Sequence, residues 1–423
     1  MKKYFITICT LILFSVPIDA QWYKQQSNTI QQLYAVLFVD QNNGWAVGDE
    51  GTILQTTDGG NNWVQQTSGT TNFFTGIFFI SPTEGWAVGG HYSPKVGIIY
   101  HTTNSGENWD IQIDTLPNFL TDVFFISNTT GWTVGISGQI YRTSNGGTTW
   151  VYSGVDDKEL RAVCFVDSNI GCAVGGSPYN TESKLLKTTD GGLNWITKTV
   201  PTNNYLRAVF FISEEIGWVG GNDGALFKTT DGGDSWEPKD ITSEGIYSIF
   251  FINSNLGWLS CSNGLIFNTS NGGEHWNQQE TQVDNYINSI IFTDENTGWA
   301  VGSIGTILHT SNGGLTFIDN ENTEKLSFEF SLSQNYPNPF NPSTTISWQS
   351  PVSSWQTIKL FNSLGQEVET IVDDYLDAGT HSKLYIVNSA LPSGVYFYQL
   401  KAVDPSKSSG QVFIQTHKMI ILK

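Results

Sequence analysis

Apolar runs broken by polar turn residues recur from about residue 33 to residue 317, and none has the spacing of a helix. The first, Tyr34-Ala35-Val36-Leu37-Phe38-Val39, is apolar on both alternating faces, as a strand must be when neighbours cover both its sides. Asp40 to Asn43 turn the chain into a second strand, Gly44-Trp45-Ala46-Val47-Gly48, and Asp49-Glu50-Gly51 is a tight hairpin turn whose Gly supplies a positive φ. Thr52-Ile53-Leu54-Gln55 is the third strand. After a reversal at Asp58-Gly59-Gly60, Trp63-Val64-Gln65 is the fourth and outermost strand, its indole folded back over the apolar edge.

This unit repeats. The motif T-x-[DN]-x-G-x-x-[WF] occurs seven times, centred on Asp58, Asn104, Asn145, Asp190, Asp231, Asn271 and Asn312, with successive copies 40 to 46 residues apart. That period belongs to four-stranded propeller blades, and the chain is expected to be all-β, a seven-bladed β-propeller followed by a small Ig-like β-sandwich. The motif's chemistry is that of a turn: the Asp or Asn accepts backbone N–H bonds and the Gly two residues on closes the reversal. These seven residues are read as structural and not catalytic. The hairpin resembles the Asp-box of bacterial sialidases and sortilin-type propellers, where it is a peripheral structural element. The whole pattern, G-W-A-V-G followed by T-x-D-G-G-x-x-W, more closely resembles the photosystem II stability and assembly-factor-like propellers, a family widespread in bacteria without photosystems.

Composition restricts the partners. A net charge of −19 with three Arg, at 142, 161 and 207, argues against nucleic acid. Met1-Lys2-Lys3, the apolar run Tyr4 to Val16 and Ala20 read as a secretory signal cut after residue 20, too short to span a bilayer permanently; no other stretch could, so the mature chain has no transmembrane segment. Cys164 and Cys172 fall on adjacent strands of one hairpin; they are read as buried thiols, with pairing as the alternative, and Cys172 stands where other repeats carry Trp. The six His lack metal-ligand spacing, and no phosphate loop or nucleophile elbow occurs, so no metal or cofactor is expected.

Two departures from uniformity mark one face. Five extra residues separate the Trp or Cys from the motif residue in repeats two and four, giving loops at His91-Tyr92-Ser93-Pro94-Lys95 and Ser177 to Glu182, the latter including Tyr179. Strand alternation puts these loops on the face where the innermost strands begin, at Tyr34, Thr75, Thr121, Arg161, Arg207, Tyr247 and Asn288. Arg161 and Arg207 then stand side by side at one mouth of the axial channel. Arg161, Arg207, Tyr34, Tyr247, Asn288, Tyr92 and Tyr179 are the expected ligand-binding set, for an anion, carboxylate or partner protein. The alternative is that the two Arg cap Asp156, Asp157 or Glu159 and hold loops. Arg142 lies on a third strand, away from the axis, so a sialidase-like Arg triad fails.

Beyond a polar linker the chain changes character. Asn335-Tyr336-Pro337-Asn338-Pro339-Phe340-Asn341-Pro342 forces an extended lead-in, and six alternating segments follow, from Thr344 to the terminus. With Ser393-Gly394-Val395-Tyr396-Phe397-Tyr398 and Lys418-Met419-Ile420-Ile421, this tail strongly resembles the type A C-terminal sorting domain of type IX secretion cargo. The resemblance implies the type IX secretion machinery as a partner, export across the outer membrane, and a released or surface-attached product. Tyr385 stands where relatives usually have Trp. The expected organisation is a signal at 1–20, a propeller at 21–323, a linker at 324–330 and a sorting domain at 331–423. The expected function is a secreted or cell-surface module binding an unknown extracellular protein or glycan; the alternative is an extracellular glycoside hydrolase, sialidase-like or other, at the channel mouth.

Overall fold

A computed structural model of the chain describes residues 22–154, 158–177, 182–314, 330–335, 338, 340–350, 352–376, 379–387, 391–403 and 412–421. Two compact units meet between residues 317 and 318 in sequence. In the first, seven four-stranded antiparallel sheets form the blades of a propeller, and the first strands of successive blades lie side by side around the axis. Blade one, Leu33–Phe38, Gly44–Gly48, Ile53–Thr56 and Val64–Gln65, has the order read from its sequence.

Apolar patterning explains how blades adhere. The Trp of each second strand lies face to face with the Phe that ends the next blade's first strand: Trp45 on Phe79, Trp86 on Phe125, Trp132 on Phe165, Trp218 on Phe251, Trp258 on Phe292 and Trp299 on Phe38, with centroids 3.5 to 3.7 Å apart. All six indoles are fully buried. Blade four has Cys172 at this place, opposite Cys164 in register, and both thiols are free and buried. Burial pushes the two thiols up to about 11 and about 12, which makes them poor nucleophiles.

Blade seven is completed by the other end of the propeller. Tyr23–Gln25 pairs antiparallel with Ile307–Thr310, so the fourth strand comes from the N-terminal segment. The echo of Trp63-Val64-Gln65-Gln66 in Trp22-Tyr23-Lys24-Gln25 thus has a physical meaning: Trp22 meets Phe292 edge-on at 5.6 Å, as Trp63 meets Phe38 at 5.8 Å. Phe317, which ends the seventh motif copy where the other copies carry the outer-strand Trp, lies outside the described residues. Pairing the two ends in one sheet removes the free edges that an open ring would expose.

The second unit is a sandwich. A three-stranded sheet, Ser331–Leu332, Ser343–Ser350 and Gly379–Ile386, faces a four-stranded one ordered Glu367–Leu376, Ser354–Phe361, Gly394–Val403, Val412–Ile421. Their inner positions bury Trp348, Ile358, Tyr398, Leu400 and Met419. The Asn-Pro lead-in is sewn to the last strand: Asn338 donates to the Lys418 carbonyl and accepts from Ile420 N–H, and Phe340 is buried beside them. Tyr385 is buried with its hydroxyl on Glu369, 2.9 Å away.

Candidate functional site

Every first strand carries a bulge at the same place. Pairing with the second strand skips one residue between Leu33 and Ala35, and likewise in the six other blades; the skipped residues are Tyr34, Thr75, Thr121, Arg161, Arg207, Tyr247 and Asn288. A bulge re-aims the extra side chain, and here it aims all seven into one cavity of about 280 Å³ at the channel mouth. The sequence pattern is apolar, variable, small: Leu206-Arg207-Ala208 in blade five, Ile287-Asn288-Ser289 in blade seven.

The seven do different jobs. Thr75, Thr121 and Asn288 reach across to the next blade and donate to the carbonyls of Leu120, Leu160 and Leu33 at 2.8, 2.7 and 2.7 Å. Asn288, expected as a ligand contact, is thus a stitch between blades seven and one. Tyr34 is engaged with Asp49. Arg161 is compensated as well: its Nε lies 3.1 Å from Glu159 Oε1 and donates to the Tyr205 hydroxyl at 2.8 Å. The capping alternative therefore describes Arg161, with Glu159 as partner; Asp156 and Asp157 lie outside the described residues.

Arg207 differs. Its guanidinium lies between two phenol rings, 5.2 Å from the centroid of Tyr205 and 4.6 Å from that of Tyr247, and its Nε donates to Asn222 Oδ1 at 2.6 Å. Tyr247 in turn meets the half-exposed Tyr286 edge-on at 5.7 Å. Among the described residues no carboxylate pairs with Arg207. Stacking on both sides and an anchored Nε hold the side chain rigid, leaving its terminal nitrogens as pre-organised donors.

A second ring of small residues sits beside the bulges. Ser289 accepts the Val36 N–H and Ser248 the Ile290 N–H, both at 3.3 Å, while the Asp122 carboxylate takes Val163 N–H at 2.9 Å and Val123 N–H at 2.8 Å. Asp122 replaces the Ala, Gly or Ser of other blades, and burial pushes its carboxyl up to about 7 despite those two bonds. Tyr92 ends the second strand of blade two, paired with Lys95; the insertion lengthens both strands of that hairpin and is not the loop expected. In blade four the same hairpin runs to Ser177 and resumes at Glu182, and Tyr179 lies outside the described residues.

On the opposite face the seven motif turns are alike. Each Thr hydroxyl bonds the Asp or Asn Oδ1 two residues on, at 2.8 to 3.0 Å, and accepts the N–H of the Gly four residues on, at 2.8 to 2.9 Å. Asp58, Asn104, Asn145, Asp190, Asp231 and Asn271 also accept the N–H four residues on. These groups are consumed by the turn they close.

A sequence-family profile described as photosynthesis system II assembly factor YCF48 matches residues 15–151, 156–244 and 239–332. The chain belongs to this YCF48 family. A second profile, for a secretion system C-terminal sorting domain, matches residues 334–415, so the YCF48-like propeller carries a signal for type IX secretion to the surface or the medium. A solved structure described as YCF48 bound to D1 peptide is 24% identical with a TM-score of 0.59, covering 69% of this chain and 97% of that one. YCF48 from Cyanidioschyzon merolae is 22% identical, TM-score 0.58, covering 69% and 99%. The GH74 enzyme of Niastella koreensis shares the propeller fold at 13% identity and TM-score 0.57, over 78% of this chain and 59% of that one. Comparison with curated protein sequences gives no match. Among the described residues of this YCF48-family chain no metal-binding cluster and no helix long and apolar enough to cross a membrane occur. Tyr205, Tyr286, Asp122 and Asn222 escape sequence reading because their roles depend on which blades touch; the triplet pattern marks the bulges but not these neighbours.

Proposed function

We propose that the propeller is an exported binding module that takes an anionic group of an extracellular protein or glycan at the channel mouth, and that the sorting domain is only its address. Arg207 carries the reading: a rigid, uncompensated guanidinium in a concave mouth of an acidic protein, flanked by Tyr247 and Tyr286, is the kind of anchor that dominates binding. A family relative solved with a peptide bound supports a peptide as one ligand class. Pull-down from culture medium and a glycan array, each with wild type and Arg207→Ala, test it. Loss of at least about 2 kcal/mol of affinity is expected for the variant, with a smaller loss for Arg161→Ala; ligands insensitive to Arg207 would reject the site.

The competing reading, a glycoside hydrolase, draws on Asp122, a carboxyl raised to about 7 in the same cavity. A panel of extracellular polysaccharides with wild type and Asp122→Asn decides it.

A further inference from the structure

The second ring of the cavity wall is uneven: in some blades its side chain supplies an acceptor, and in others, blade one with Ala35 among them, it does not. In blades six, seven and three a side chain of the second ring accepts the N–H that the next blade's first strand turns toward the channel: Ser248 for Ile290, Ser289 for Val36, Asp122 for Val163. In blades four and five that ring holds Ala162 and Ala208, and among the described residues no side chain accepts the corresponding N–H groups of Val209 and Ile249. All four residues line the mouth cavity beside Arg207. A backbone donor with no acceptor in the protein turns to water or to a ligand. Two such donors, next to a guanidinium whose Nε is anchored on Asn222 and whose faces are covered by Tyr205 and Tyr247, form a seat for a planar anion. Beside the seat, Tyr286 is half exposed and stands against Tyr247. Its exposed half can meet a flat apolar surface, while Gly245 leaves the adjoining rim of blade six without a side chain.

Resting on the binding reading above, we infer that the mouth binds a carboxylated saccharide: the carboxylate of a uronic acid type residue sits on Arg207 and the N–H groups of Val209 and Ile249, and the C–H face of a sugar ring lies on Tyr286. The C–H groups of a pyranose face carry slight positive charge and meet the negative face of an aromatic ring. A sugar acid presents that face and a planar carboxylate on one rigid six-membered frame. An extended acidic peptide would use the same seat but has no need of Tyr286.

Calorimetry of the full-length exported protein with trigalacturonate, its methyl ester and an acidic peptide tests this. Trigalacturonate binding is expected, weakened about tenfold or more by esterification, since the ester cannot accept as a charged fork. Ala208→Ser installs the acceptor that blades six and seven already have; it should satisfy the Ile249 N–H, keep the fold and weaken trigalacturonate about fivefold. Tyr286→Ala should weaken the saccharide and leave the peptide unchanged. Equal binding of acid and ester, or of wild type and Ala208→Ser with the melting temperature unchanged, overturns the seat. Arg207-dependent binding of the peptide without the saccharide overturns this inference and leaves the binding reading standing, whereas no Arg207-dependent ligand of any class removes both.

Discussion

The two ends of each blade obey different rules. At the motif-turn end nearly the same atoms meet around the ring: a Thr hydroxyl closes every turn, and in five cases the indole N–H of the preceding blade's second strand donates to a carbonyl of the turn, as from Trp45 to Ser105, Trp86 to Gly146 and Trp132 to Gly191, whereas Cys172 replaces that indole in blade four and the Trp218 N–H makes no such bond. At the mouth end the backbone is equally regular, with one bulge per blade, but the residue it presents changes from Tyr to Thr to Arg to Asn. The difference teaches where each blade's constraints fall. The turn end must fit a neighbour of fixed shape, so its side chains are consumed in packing and hydrogen bonds. The mouth end needs only the bulge, and its side chain is left to vary: Thr75, Thr121 and Asn288 stitch to the next blade, while Arg207 faces the channel.

The strongest way to break this division is to damage the turn end and look for a change at the mouth. Trp132→Ala removes an indole stacked on Phe165 and bonded to the Gly191 carbonyl at 2.9 Å, and should destabilise the propeller by about 3–5 kcal/mol. Urea unfolding measures it. A cost below about 1 kcal/mol would mean that the stacks do not hold the blades together.

Next is Asp122, a mouth residue that does bear on stability. Its folded pKa of about 7 lies above the ordinary Asp value of about 3.8, so between these two values the native state holds a proton the unfolded chain has lost. For an acid shifted upward, stability is greatest below the unfolded pKa and falls as pH rises toward the folded pKa, here from about pH 4 to about pH 7, by no more than about 4 kcal/mol. Unfolding followed from pH 4.5 to 8 should show that decline, and Asp122→Asn should flatten it. An unchanged slope in the variant assigns the pH dependence to other groups.

Much of this was legible in residues alone, for reasons that differ between the two ends. The turn end shows itself because a fixed neighbour demands fixed residues, and Thr56-x-Asp58-x-Gly60 recurs as a string. Six of the seven strands described in the sorting domain are legible by their alternation, and the two-residue strand Ser331–Leu332 is too short to be. The seven mouth positions follow from strand direction, yet their chemistry does not: Arg161 and Arg207 look equivalent until Glu159 is found on one and two Tyr rings on the other. The closing strand is marked in the sequence by the echo at Trp22, although Phe317 of the seventh motif copy points to a second source for the same edge. A further regularity went unread: a Gln three residues after the outer-strand Trp, at 25, 66, 112 and 279.

Smaller effects sharpen the comparison at single turns. Asp58→Ala removes the acceptor for Thr56 Oγ1, Asn62 N–H and the Asn62 amide, and should cost about 1–2 kcal/mol of stability with mouth affinity unchanged. The same bonds hold the Asp58 carboxyl below its ordinary pKa, with Asn62 the largest contributor. Since a depressed carboxyl stabilises above its unfolded pKa and loses that contribution as pH falls through the folded value, the gap between variant and wild type should close in acid, below about pH 4. A gap constant from pH 3 to 7 would show that the carboxylate is not what closes the turn.

The smallest change tests the Gln regularity directly. Gln66 accepts from Trp109 Nε1 and donates to the Ser105 carbonyl, and Gln25, Gln112 and Gln279 make the same pair of bonds, the last with Trp22 standing in for the seventh outer Trp. Blades three, four and five carry Ser153, Lys198 and Lys239 at that place, and the buried indole nitrogens they would serve, on Trp195, Trp236 and Trp276, have no partner. Lys198 instead reaches the exposed Asp234 at 2.6 Å, a surface pair of little worth, while Lys239 binds Glu274. Lys198→Gln restores the clamp on Trp236 at the loss of that surface pair, and a buried donor that gains an acceptor contributes about 1 kcal/mol. The variant should therefore melt a few degrees higher or at the same temperature, and its indole N–H exchange with solvent should slow. A lower melting temperature with unchanged exchange would mean that blades four and five have settled on a different packing, in which Lys198 and Asp234 belong to the fold and the Gln clamp to the other half of the ring.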